Sequence, residues 1–178
     1  MGGEGENRGT PSLTNSGEVR SGVPRFSRAA PGDEAVRALY RAMVRDEVLV
    51  PLGIPIDEGA LAEEQPPADL VPPNGELLLV SLDGEPVAIG GVRDLGTPVA
   101  EVKSMYVAPA ARGRGLGRRL LERLEGIAAD HGCRAVRLDT ASHMTAAIAL
   151  YRDLGYREIP VYNEGPNADL WFELDLCP

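Results

Sequence analysis

An α/β fold, one mixed β-sheet with helices on its faces, follows from the order of patterns along these 178 residues. Helix-periodic runs come first, then short apolar runs as an antiparallel meander, then the two alternate in the order β-α-β-α-β-β. Asp83-Gly84, between two apolar runs, is a strong two-residue hairpin signal. An extended run (Glu101 to Val107), a glycine turn (Arg112 to Gly117) and a helical run (Leu116, Leu120, Leu121, Leu124, Ile127) follow one another directly.

Residues 1 to about 22 are rich in Gly, Ser, Asn, Glu and Arg and lack hydrophobic period, which predicts a flexible tail. One domain is expected over 23–178. A short strand is predicted over 23–29. Asp33 is the expected N-cap of a helix over 33–49, where Val36, Leu39, Tyr40, Met43, Val44 and Val48 recur at helical spacing. Pro51, Gly53 and Pro55 end it, and a short helix is expected over 57–64. Strands are expected over 77–82, 86–92 and 97–108, then a helix over about 115–130. A strand over 134–139 and a helix over 146–154 follow, with Gly155 as the C-terminal cap. Two strands, 156–161 and 170–176, close the chain.

The net charge of −9 argues against general affinity for nucleic acid or an anionic membrane. No apolar run approaches the roughly 20 residues of a membrane span. The N-terminal stretch lacks the apolar core of a secretory signal, and Glu6 stands where a myristoylation signal wants Ser or Thr. Two cysteines, Cys133 and Cys177, make no disulfide framework. A cytoplasmic protein with reduced thiols is the simplest expectation.

The glycine turn is an anion site by construction. Glycines let backbone N–H groups approach a ligand, and a helix start carries partial positive charge. Arg112, Arg114, Arg118 and Arg119 crowd this turn, against the sign of the whole chain. A dinucleotide fingerprint needs a third glycine at 118, which is Arg. A P-loop needs Gly-Lys-Ser or Gly-Lys-Thr, but Lys103, the only lysine, precedes Ser104 inside a strand. The arginines lack the interleaved aromatics of a nucleic-acid segment.

What fits is Arg-x-x-Gly-x-Gly from Arg112 to Gly117. With Met105-Tyr106-Val107-Ala108-Pro109 before it and the stretch Ala147 to Tyr156 after it, the chain resembles the GCN5-related N-acetyltransferase superfamily. The resemblance covers about residues 23–176. It implies a single mixed, centrally splayed sheet flanked by helices, the acyl-CoA N-acyltransferase fold. It implies acetyl-CoA as co-substrate, lying where the strands ending near Val107 and Asp139 part, and a small-molecule or peptide amine as acceptor. Met105, Tyr106 and Val107 would line the coenzyme's arm. The backbone of Arg112, Gly113, Arg114, Gly115, Leu116, Gly117 and Arg118 would cradle its pyrophosphate. A homodimer stays open, no metal is called for, and the acidic balance of the chain leaves no nucleic-acid partner expected.

Acetyl transfer to an amine requires removal of an amine proton, stabilisation of an oxyanion and a proton for the leaving thiolate. The resemblance makes Tyr151 the general acid, since a phenol of pKa about 10 holds its proton at neutral pH. A core tyrosine on the apolar face Ala147, Leu150, Tyr151, Leu154 is the alternative. Glu101 is the expected base, by analogy with the histone-acetylating branch. Its alternative is a structural ion pair with Lys103 on the same strand face. Val107 would supply the oxyanion's N–H. The family's usual Asn seven positions before the tyrosine is Met144 here, so Ser142 or His143 would have to replace its contacts. His131 reads as a favourable charge at a helix C-terminus. A non-catalytic acyl-CoA sensor on the same fold is the competing function.

From Asp46 to Val92 there is no Lys or Arg, but ten acids: Asp46, Glu47, Asp57, Glu58, Glu63, Glu64, Asp69, Glu76, Asp83 and Glu85. By the resemblance this stretch walls the acceptor pocket, where an acidic wall would steer a cationic amine; a solvated acidic surface is the alternative. Tyr162, Asn163 and Glu164 are further expected acceptor contacts. The family's strand order would also bring the ends bearing Cys133 and Cys177 close, with both thiols expected to stay free.

Overall fold

The computed structural model describes residues 22–176. The expected tail, Gly22 excepted, lies outside the described residues, as does Cys177. Seven strands form one sheet in the order β1-β2-β3-β4-β5-β7-β6. They are β1 Arg25–Ala29, β2 Gly75–Leu82, β3 Glu85–Thr97, β4 Val99–Val107, β5 Ala135–Thr140, β6 Arg157–Ile159 and β7 Leu170–Asp175. Four α-helices accompany them: α1 Glu34–Met43, α2 Glu58–Glu63, α3 Leu116–Asp130 and α4 Thr145–Asp153. None of the described helices is long and apolar enough to cross a membrane.

Strands β2 to β4 form the expected antiparallel meander, and β1, reached through α1 and α2, pairs antiparallel with β2. The Asp83-Gly84 turn has φ of 51° and 88°, the double positive φ of a type I′ hairpin. Strand β3 runs five residues past the predicted end at Val92. Arg93 and Asp94 look like turn residues in sequence, yet they pair with Glu101 and Ala100 across the hairpin. Strand β6 is shorter than predicted, three residues at the sheet edge.

Helix 33–49 also departs from expectation. It is α-helical only to Met43 and continues as a π-helical segment, Val44–Leu49, with an i→i+5 bond from the Val50 N–H to the Arg45 carbonyl. Asp33 occupies the N-cap position, but its carboxylate accepts from the Ala30 N–H and not from the helix. The helix that is capped by an aspartate is α2, where Asp57 accepts from Gly59 and Ala60.

Helices cover both sheet faces. Leu120, Leu121 and Leu124 of α3 are fully buried against Leu78, Val80, Ala88 and Val92, each side chain stabilising by about 1.5–3 kcal/mol. On the other face Val36 and Leu39 of α1 pack with Leu70, Leu77 and Ile89. Gly90 makes the close approach of α3 to β3 possible, because a Cβ there would lie 3.0 Å from Leu120 Cδ2. Helix α4 ends in a Schellman motif: Gly155 has φ +89°, and the Tyr156 N–H donates to the Tyr151 carbonyl.

Candidate active site

Only three rungs join the parallel strands β4 and β5: Val99 with Ala135, Ala100 with Val136, and Glu101 with Arg137. Beyond Glu101, β4 continues to Val107 on β3 alone, while β5 continues to Thr140 on β7 alone. The sheet therefore splits at its centre. In the same stretch Ser104 takes φ +57°, and two residues, Ser104 and Met105, oppose Gly90. This bulge bends the free half of β4.

A cleft of about 560 Å³ opens at the split. Its walls are Val102 to Met105 of β4, Leu138 to Ala141 after the last rung, and Tyr151 of α4. Met43, Val44, Glu47 and Val48 of the first helix, and Gly165 to Ala168 of the last loop, close it. Met105 thus lines the cleft. Tyr106 is buried beneath it, its hydroxyl donating to Asp46 at 2.6 Å. The Val107 carbonyl accepts from Arg112 Nε at 2.8 Å.

The glycine turn follows β4 through a short 3₁₀ turn, Pro109–Ala111. Gly113 and Gly115 have φ of +76° and +70°, a left-handed backbone that non-glycine residues adopt at a cost of about 1–2 kcal/mol. Gly115 is the N-cap of α3. The N–H groups of Leu116, Gly117 and Arg118 lie in the first turn and have no helical carbonyl to reach. Free first-turn N–H groups of this kind are the donors that a helix start can present to an anion.

The arginines divide. The Arg112 guanidinium lies 5.7 Å over the Tyr106 ring and 3.4 Å from a Glu47 carboxylate oxygen. Arg118 pairs with Asp153 of α4, and Arg119 packs over Phe26 of β1. The last two therefore serve packing around α3 with their side chains.

Tyr151 is 7% exposed and sits between Tyr156 and Phe172, both at 5.8 Å between ring centroids. It is at once a core tyrosine and a cleft residue. Burial, then the charges of Glu47 and Asp139, push its phenol well above the ordinary value.

Glu101 is 1% exposed and is not a wall of the cleft. One carboxylate oxygen accepts from Arg93 Nε at 2.8 Å and Nη2 at 2.6 Å. The other accepts from the Tyr162 hydroxyl and the Asn163 amide, both at 2.8 Å. Lys103, its expected ion-pair partner, pairs with it only at 3.9 Å and binds Asp139 more closely, at 2.6 Å. Tyr162 and Asn163 thus hold Glu101, and the cleft is lined by their neighbours from Gly165 onward.

The acidic wall is also mostly committed elsewhere. Asp46 binds Tyr106, Asp57 caps α2, Glu58 pairs with Arg45, Asp69 with Arg93, and Glu76 with Arg28. Of the ten acids only Glu47 and Glu64 line the cleft, joined by Asp139 of β5. Burial pushes the Glu47 carboxyl up to about 7, against the opposing pull of Arg112. Ser142 is tied through its N–H and hydroxyl to Asp169, both at 2.6 Å. The His143 Nε2–H donates to the Glu47 carbonyl at 2.9 Å.

The model of the acetyltransferase (GNAT) family matches residues 33–156, which contain the split, the glycine turn and α4. This chain belongs to that family. Among curated relatives of this GNAT chain, the IAA acetyltransferase of Azospirillum brasilense is 39% identical over 90 residues, 50% of this chain and 59% of the relative. The thialysine N-epsilon-acetyltransferase of Sus scrofa is 33% identical over 58 residues, 33% of this chain and 34% of that one. The chain thus spans less than two thirds of either relative's length. A solved Klebsiella pneumoniae protein assigned as an acyl-CoA N-acyltransferase has 29% identity and a TM-score of 0.67, covering 86% of this chain and 98% of its own. Salmonella typhimurium YncA, solved with its cofactor acetyl-CoA, shares the GNAT fold at 22% identity and a TM-score of 0.62, over 88% and 95% of the two chains.

Proposed function

We propose that this GNAT chain transfers the acetyl group of acetyl-CoA to a primary amine that carries further positive charge. The observation that carries the proposal is the cleft at the sheet split, with the glycine turn at one end and the Tyr151 phenol in its wall. The residues fit acetyl-CoA. The first-turn N–H groups of α3 and the left-handed Gly113 and Gly115 offer a pyrophosphate backbone donors. The edge of β4 from Val102 to Val107, released from β5, offers an extended amide chain a strand to pair with.

The chemistry is direct attack. Tyr151, its phenol raised well above the ordinary value, stays protonated at neutral pH and is the assigned proton donor to the departing thiolate. The Val107 N–H, on the open half of β4, is the assigned donor to the oxyanion. Glu101, with both oxygens bonded inside the sheet, is assigned to structure: it fixes the last rung before the split. For the acceptor, three carboxylates (Glu47, Glu64, Asp139) face one lysine, Lys103, in the cleft wall. That excess of negative charge favours a polyamine, an aminoglycoside or a basic peptide end. The name of the porcine relative, an ε-amine acetyltransferase, is in keeping with an amine acceptor.

Thiol release from acetyl-CoA, followed with spermidine, an aminoglycoside, a basic peptide and neutral and anionic amines, tests the reading. Turnover with the cationic group is expected. Turnover confined to neutral or anionic amines would refute the acceptor class, and none with any amine would refute the activity.

A further inference from the structure

Acetylation of an ammonium group requires a base, and Glu101 is sealed inside the sheet. Three other carboxylates reach the cleft. Asp139 already accepts from Lys103 Nζ at 2.6 Å and from Asn163 at 3.2 Å on one oxygen. Glu64 is exposed at the C-terminal end of α2, outside any fixed contact with the split strands. Glu47 differs from both. Its side chain is 17% exposed, and its contact with Arg112, 3.4 Å, is a loose one.

Glu47 is also held in place. It lies in the π-helical segment, a geometry often found at functional sites. Its carbonyl is bound by His143 at the start of α4, and the preceding Asp46 is bound by Tyr106 of β4. The segment is thus pinned to both flanks of the split. Glu47 lines the same cleft as Tyr151 and is the larger influence of the two charges acting on that phenol.

We infer that Glu47 is the catalytic base, the group that takes the proton from the acceptor's ammonium. The inference rests on the acetyltransferase reading above. One proton passes from the ammonium to the Glu47 carboxylate. The freed amine forms the C–N bond as the C–S bond breaks. Tyr151 gives its proton to the sulfur and recovers one from the acylated nitrogen, while Glu47 releases its own to solvent. Burial raises the proton affinity of Glu47 to the neutral range, as a base working there requires.

Two measurements on the full chain test this. The first compares wild type and Glu47→Gln with spermidine and with a weakly basic aryl amine, which is already unprotonated at neutral pH. With spermidine, kcat should fall roughly 10²–10⁴-fold and the acidic limb of the wild-type pH profile should disappear. With the aryl amine the loss should be small. An unchanged kcat with the limb retained, or a loss confined to KM, would overturn the inference. Absence of turnover in wild type would count against the activity itself. The second measurement does not depend on turnover: the carbon-13 signal of the Glu47 carboxyl, assigned by its loss in Glu47→Gln, should titrate near pH 7. A midpoint in the ordinary carboxylate range would overturn the base assignment even if the enzyme proved inactive.

Discussion

Glu101 on β4 and Arg137 on β5 form the last rung of the parallel ladder, and the cleft begins one residue beyond them. Glu101 is held there by Arg93 from β3 and by Tyr162 and Asn163 from the β6–β7 loop. Arg137 is held by Glu173 of β7. The rung where the sheet opens is therefore the one most heavily tied by charged side chains.

Replacing Glu101 by Ala should consequently be a stability mutation. It would leave the Arg93 guanidinium, the Tyr162 hydroxyl and the Asn163 amide without their buried acceptor. Removing one partner of such a buried pair costs about 3–5 kcal/mol. Urea denaturation should show this loss. A Glu101→Ala protein of wild-type stability would mean that the rung does not anchor the split.

Tyr151→Phe removes one oxygen and leaves the ring packing on Tyr156 and Phe172 in place. The expected result is a kcat lowered about 10²-fold or more with coenzyme A affinity within a few-fold of wild type. Steady-state kinetics paired with calorimetry decide it. Unchanged kcat with intact coenzyme binding would return Tyr151 to a purely structural role.

Gly115 is the left-handed N-cap of α3, and a Cβ placed there meets no atom within 4 Å. Gly115→Val therefore tests backbone conformation without a steric clash. It should cost at least ~1–2 kcal/mol of stability and weaken coenzyme A binding by tenfold or more, as the first-turn N–H groups tilt away. Calorimetry with coenzyme A reads the second effect. Undiminished affinity would contradict the pyrophosphate assignment.

The parts of this site that sequence reveals are those where a residue type is itself the structural requirement. Positive φ at Gly113, Gly115 and Gly155, and the hairpin at Asp83-Gly84, are written in the residues that tolerate them. The continuation of β3 through Arg93 is not, because its support is a cross-strand partner, Glu101, that polarity alone conceals. Glu47 is the extreme case. In sequence it is one of ten acids, in a helix whose periodicity runs on unbroken to Val48. Only folding makes that segment π-helical and sets Glu47 against Arg112, 65 residues away. Similarly, no local signal distinguishes Arg112 from Arg118, whose partner Asp153 arrives from α4.

The burial of Glu47 also makes stability depend on pH. Its carboxyl binds a proton up to about pH 7 in the folded chain, against an ordinary 4.5. Between those values the folded state holds more protons than the unfolded one, so stability falls as pH rises. Below about 4.5 the group is neutral in both states and costs nothing; above about 7 the whole cost is present. With ~1.4 kcal/mol per pH unit, that cost is about 3 kcal/mol. Glu47→Gln is neutral throughout, so it should be the more stable protein at pH 8 and should lose this slope between pH 4.5 and 7. Urea denaturation of both proteins across that range measures the difference. Parallel curves would show that Glu47 is ionised in the fold throughout, held as an anion by Arg112.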